Sequence, residues 1–158
     1  NHILGNGRSS YNIGLVDKNN CLVACLSALI TQKEIIINRF ATSKPVAGGF
    51  SKLLMTLKKD FLNVNKPIVT FADRRFSEGN LYFKTGFKLD YIIKPDYYYF
   101  YKNKRYHKFN FRHKHLQKIL HKYDASLSET VNCHNNGIYK IWNCGLLKFK
   151  MEKNTCQE

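Results

Sequence analysis

Lys44-Pro45-Val46-Ala47-Gly48-Gly49-Phe50-Ser51-Lys52-Leu53-Leu54 (residues 44–54) is the stretch that decides the fold. Behind it, Phe50, Leu53, Leu54, Leu57 and Phe61 recur at helical spacing, which predicts a helix running from the glycine turn to about residue 62. A glycine turn opening a helix is also a place for an anion, because exposed N–H groups and the helix dipole face the same way. Gly48, Gly49 and Ser51 are small enough for a phosphate to approach, and Lys52 adds a charge. Glycines at such a joint also serve geometry alone.

On the N-terminal side, residues 11–16, 21–30 and 34–41 read as strands, the first two joined by the turn cluster Asp17-Lys18-Asn19-Asn20. On the C-terminal side, Pro67-Ile68-Val69-Thr70-Phe71-Ala72 is a short buried strand ending at Asp73. Residues 79–85 predict a short helix, 87–93 and 97–102 two strands, 113–123 a basic helix, and 126–135 a further helical turn or two. Residues 138–150 predict a closing hairpin around Asn143-Cys144-Gly145. A meander pairs antiparallel, whereas the strand–helix–strand unit from 34 to 72 requires one parallel pair. The expected class is α/β with a mixed sheet, as one domain over residues 1–158 with a C-terminal basic helix and hairpin.

Hydrophobic residues make up 44% and charged residues 23%, which excludes a disordered chain. No run approaches the ~18 apolar residues of a membrane span, so no membrane partner is expected, and the cysteine usage makes a reducing cytoplasm the default location. The first residue is Asn rather than Met, so an upstream segment or domain is expected. Five cysteines, an odd count without regular spacing, argue against a disulfide framework, and no paired C-x2-C knuckle supports a zinc site.

The charge balance points to a polyanion. Lys and Arg number 26 against 11 Asp and Glu, a net +15. From Lys94 to Lys122 nine Lys and Arg stand against the single acid Asp96. Tyr97, Tyr98, Tyr99, Phe100, Tyr101, Tyr106, Phe109 and Phe111 are interleaved with them. Cations neutralise phosphates and exposed rings stack on unpaired bases, so the expected partner is nucleic acid. Arg74, Arg75, Arg105, His107, Lys108, Arg112, Lys114 and Lys118 are the candidate contacts. Alternation along a strand also implies that about half of the rings face a core.

The order of meander, glycine turn, long helix, strand, short helix and strand resembles the GNAT acyltransferase fold. In that family the turn before the long helix binds the pyrophosphate of acetyl-CoA, and the next strand splays from its neighbour to admit the pantetheine arm. The family pattern Arg/Gln-x-x-Gly-x-Gly/Ala falls on Val46-Ala47-Gly48-Gly49-Phe50-Ser51, matching at Gly49 and Ser51 and departing at Val46. Further segments are similar to a GNAT-like domain of bacteriophage homing-endonuclease-like proteins, and to Mom-type proteins that modify adenine in phage DNA. They are Asn1-His2-Ile3-Leu4-Gly5, Ala72-Asp73-Arg74-Arg75, Lys104-Arg105-Tyr106-His107 and Ile141-Trp142-Asn143-Cys144-Gly145.

The resemblance implies action on DNA rather than RNA, in an infected host cell. An acyl-CoA would be held by Val46, Gly48, Gly49, Ser51 and Lys52. His2, Asp73 and Tyr82 would be the catalytic base, orienter and acid, or His2 and Asp73 would ligate a metal such as iron. Asp73 ends a buried strand, where a carboxylate pairs or sits at a cleft mouth; the alternative is an ion pair with Arg74 or Arg75. Tyr82 has the spacing of a packed helix residue as well. The second functional class is a DNA-recognition domain without catalysis, attached to a nuclease.

Overall fold

The computed structural model describes residues 7–152, so His2 and Cys156 lie outside the described residues. In chain order the elements are β1 (Tyr11–Val16), β2 (Leu22–Ile30), β3 (Ile35–Thr42), α1 (Gly49–Asp60), β4 (Ile68–Asp73), α2 (Asn80–Lys84), β5 (Lys88–Ile93) and β6 (Tyr97–Tyr101). There follow β7 (Lys104–His107), a 3-10 turn (Lys108–Phe111), α3 (His113–Ile119), α4 (Glu129–Asn135), β8 (Tyr139–Trp142) and β9 (Leu146–Met151). They gather into two compact units, residues 7–93 with 146–152, and Lys94–Gly145. The second unit is thus inserted between two strands of the first. No helix among the described residues is long and apolar enough to cross a membrane.

The first unit is a mixed sheet of order β1-β2-β3-β4-β9-β5. β1, β2 and β3 form the antiparallel meander, β3 and β4 run parallel, and β9 pairs antiparallel with both β4 and β5. The expected parallel crossover is made by α1, whose apolar stripe of Phe50, Leu53, Leu54 and Leu57 is buried against Ala24, Leu26, Ala28, Ile35 and Ile37. Gly48 caps α1 at φ 67°, a conformation that costs a residue with a Cβ. The β1–β2 turn closes as the composition predicts: Asp17 Oδ1 accepts the N–H of Asn19 at 3.0 Å and of Cys21 at 3.1 Å.

β1 is tied to the end of α1 by Tyr11, whose hydroxyl donates to the Asp60 carboxylate and whose ring lies edge-on to Phe61 at 5.0 Å. Burial first, and then Asp60, push the Tyr11 hydroxyl up to about 12. The folded chain therefore holds this proton more tightly than the unfolded chain, which releases it near 10. The contribution is complete below about pH 10 and is lost as pH rises towards 12. In Tyr11→Phe that portion of the alkaline fall should vanish, as urea midpoints measured at intervals across the window will show.

The second unit has an antiparallel sheet of order β7-β6-β8 with α3 and α4 beside it. Its core is Tyr99, Phe111, Leu116, Cys133 and Ile138, with Tyr97, Tyr101 and Tyr106 partly buried against it. Alternation along β6 thus divides the tyrosines between two faces. Burial pushes the Tyr99 hydroxyl and the Cys133 thiol upward.

Three expectations are corrected here. Residues 138–150 are not a hairpin: β8 pairs with β6 in the second unit, while β9 pairs with β4 and β5 in the first. Asn143 marks the exit from the insertion, its Oδ1 accepting the N–H groups of Asp96 and Gly145, each at 2.9 Å. The basic helix stops at Ile119 rather than 123, because Leu120 is extended and the Asn136 side chain binds both the N–H (3.2 Å) and the C=O (2.7 Å) of Lys122. β7 is an additional strand, joined to β6 by Lys102 and Asn103 at φ 46° and 59°, a primed turn made without glycine.

Candidate functional site

In the first unit, pairing of β3 with β4 runs from Ile35↔Ile68 to Ile37↔Thr70, and both strands then continue without pairing to each other, to Thr42 and Asp73. At this divergence lies a cleft of about 370 Å³, lined by Asn38 and Phe40 of β3, Phe71 and Asp73 of β4, and Ser77 and Tyr82 beyond. The structure therefore brings Asp73 and Tyr82, both singled out from sequence, to one cleft. Asn38, Phe40 and Phe71 were not singled out; the only signal was their position at the ends of two strands joined by a helix.

Asp73 is held by its neighbour. Arg75 Nε lies 3.0 Å from Oδ1 and 3.1 Å from Oδ2, and the Arg75 N–H donates to Oδ1 at 3.0 Å. The turn after β4, with Phe76 and Ser77 N–H groups donating to the Asp73 carbonyl, folds Arg75 back onto the carboxylate. The Arg75 guanidinium also lies over the Phe76 ring at 5.0 Å. Arg74 is exposed.

Tyr82 packs among Phe50, Phe87 and Phe149, with ring centroids 5.8, 5.8 and 5.1 Å away. Gly79, at φ 82°, caps α2 and so sets where Tyr82 stands. Through Phe50, the second residue of α1, the cleft adjoins the helix N-terminus: Phe50 contacts Phe40 at 5.1 Å as well as Tyr82. No acid occupies the first turn of α1, and Gly48, Ser51 and Lys52 are exposed. Val46 is half-buried, its Cγ1 3.1 Å from where a Cβ on Gly49 would stand. Among the described residues no three His, Cys, Asp or Glu are grouped to hold a metal.

In the second unit the predicted basic contacts divide into two sets. Lys108 is committed to an ion pair, with Nζ 2.7 Å from each Asp96 oxygen. That hydrogen bond, and the Tyr97 N–H, hold the Asp96 carboxyl below its ordinary range. Arg105, His107, Arg112, Lys114 and Lys118 are exposed. Arg105 lies over the Tyr98 ring at 4.7 Å and Arg112 over the Phe109 ring at 4.0 Å. His107 Nδ1 accepts the Phe109 N–H at 3.3 Å and so caps the 3-10 turn. A separate cavity of about 330 Å³ opens between Tyr101, Tyr106, Ile119 and His121.

No family model matches this sequence, and no curated protein matches it either.

Proposed function

We propose that this chain is a GNAT-fold protein that acts on DNA, with the first unit as a transferase-like scaffold and the second as the part that grips the nucleic acid. The observation that carries the reading is the density of cations and rings between Lys94 and Lys122, where nine Lys and Arg face one acid that is itself paired. The transferase half is supported by the cleft at the divergence of β3 and β4, next to a helix opened by Gly48 and Gly49.

Here Gly48, Gly49, Ser51 and Lys52 would hold the pyrophosphate of an acyl-CoA, whose thioester supplies the activated acyl group. Tyr82 would position or protonate at the cleft wall, and Asp73 would hold Arg75 there. His2 belongs to the same reading as a base, or with Asp73 as a metal ligand.

Two observations favour a second reading, a DNA-recognition domain without catalysis. Val46 stands where the family pattern has Arg or Gln, and both Asp73 oxygens are engaged by Arg75. Thermal unfolding with and without millimolar acetyl-CoA separates the two. Ligand at about 100 times its dissociation constant should add ~2.7 kcal/mol of stability. An unmoved midpoint, together with DNA affinity that falls as salt rises, decides for the recognition domain. DNA affinity flat against salt would remove both readings.

A further inference from the structure

The strand register of the second unit places six side chains on one face. Tyr98 stands opposite His107 on one side and Ile141 on the other, and Phe100 opposite Arg105 and Tyr139. The opposite face, with Tyr97, Tyr99, Tyr101 and Tyr106, carries the core. The first face leaves apolar area in water: Tyr139 is 53% and Ile141 44% exposed, and Phe109 beyond the strands is 48% exposed.

The side chains on and beside this face form a continuous series of cations and rings. Arg112 lies 4.0 Å from the Phe109 ring, Phe109 and His107 are 4.6 Å apart, His107 and Tyr98 5.8 Å, and Arg105 lies 4.7 Å from Tyr98. Of the three acids of the unit, Asp96 pairs with Lys108, while Glu129 accepts the His113 N–H and Asp124 accepts from Ser126, and neither of these acids lies in β6, β7 or β8.

We propose that this surface receives an unpaired nucleic-acid strand, its bases laid on Tyr98, Phe109 and the planes of Arg105 and Arg112, its phosphates met by the same guanidinium groups. The proposal rests on the nucleic-acid reading above and names the form of substrate. In a duplex each base is covered on both faces by its neighbours, so rings and guanidinium planes find little to stack on. A single strand exposes those faces, and a row of three rings with an arginine at each end offers both stacking surface for bases and charge for phosphates.

The test uses the full chain, a labelled oligothymidylate and a labelled duplex of the same length, with fluorescence anisotropy over a range of salt. The single strand should bind more tightly. Phe109→Leu, which keeps apolar bulk, should weaken it about tenfold without changing the salt slope. Arg112→Lys, which keeps charge and loses the plane, should weaken it too. Lys114→Ala with Lys118→Ala should lower the salt slope instead. Circular dichroism of each variant verifies the fold, and Phe109 is exposed enough that Leu is tolerated.

Duplex binding as tight as single-strand binding, or Phe109→Leu without effect, overturns the inference and leaves DNA docking through α3. Binding to neither form overturns the nucleic-acid reading itself.

Discussion

Replacing Gly79 with alanine should lower the stability of the first unit by about 3 kcal/mol. Two costs add. Gly79 sits at φ 82°, where an L side chain loses roughly 1–2 kcal/mol. A Cβ there would also stand 2.1 Å from Cζ and 2.4 Å from Cε2 of Phe149, a β9 ring with no exposed surface. Overpacking of that kind costs roughly 1–3 kcal/mol. Gly48→Ala separates the two, since Gly48 has φ 67° with nothing within 4 Å of its Cβ position. It should cost about 1 kcal/mol, the backbone share alone. Urea unfolding followed by far-ultraviolet circular dichroism measures both. Equal losses in the two variants would mean that Phe149 moves aside freely.

Asn132→Ala should cost the second unit a similar amount, about 3 kcal/mol. Asn132 is 1% exposed and its side chain serves four backbone groups. Oδ1 accepts the Asp124 N–H at 2.9 Å, while Nδ2 donates to the carbonyls of Asp124, Leu127 and Ser128 at 2.8, 3.1 and 3.3 Å. Alanine leaves these groups without their side-chain partner and holds nothing in place between α3 and α4. Asn132→Asp keeps the shape and the acceptor but turns a carboxylate towards three carbonyl oxygens, so it should be worse than alanine at neutral pH. Trp142, the sole tryptophan, lies in β8 against Tyr97 at 5.1 Å, so its fluorescence reports the second unit's unfolding. A loss below about 1 kcal/mol for Asn132→Ala would show that water replaces the amide.

Much of the first unit was legible because its signals are local. Alternation gave β1 to β3, the spacing of Phe50, Leu53, Leu54 and Leu57 gave α1, and the helical crossover from β3 to β4 implied a parallel pair. The partner of β9 was not legible. Residues 138–150 carry a turn signal at Asn143-Cys144-Gly145, and nothing local states that the two flanking strands belong to different sheets. β7 was hidden because Lys102 and Asn103 make a left-handed turn without the glycine that announces one.

The site was half visible. Asp73 was found as a carboxylate ending a buried strand and Tyr82 through the family resemblance, and the cleft that brings them together needed the divergence of β3 from β4. Sequence left Arg74 and Arg75 equal as partners for Asp73, and the backbone turn after β4 selects Arg75. In the basic stretch, Lys108 looked like its neighbours until Asp96 was seen to hold it. Phe109 was one ring among eight, and only its exposure and its place between Arg112 and His107 distinguish it.

Ile93, the last residue before the insertion, is paired across the ladder with Leu146, the first residue after it. The chain thus leaves the sheet and re-enters it at adjoining rungs, the spacing a tight reverse turn would span. Everything from Lys94 to Gly145 is in effect an ornament hung on a hairpin tip. A chain that leaves and returns at one point can add a whole folded unit without breaking a ladder pair of the sheet, so the first unit keeps its strand order whatever the tip carries.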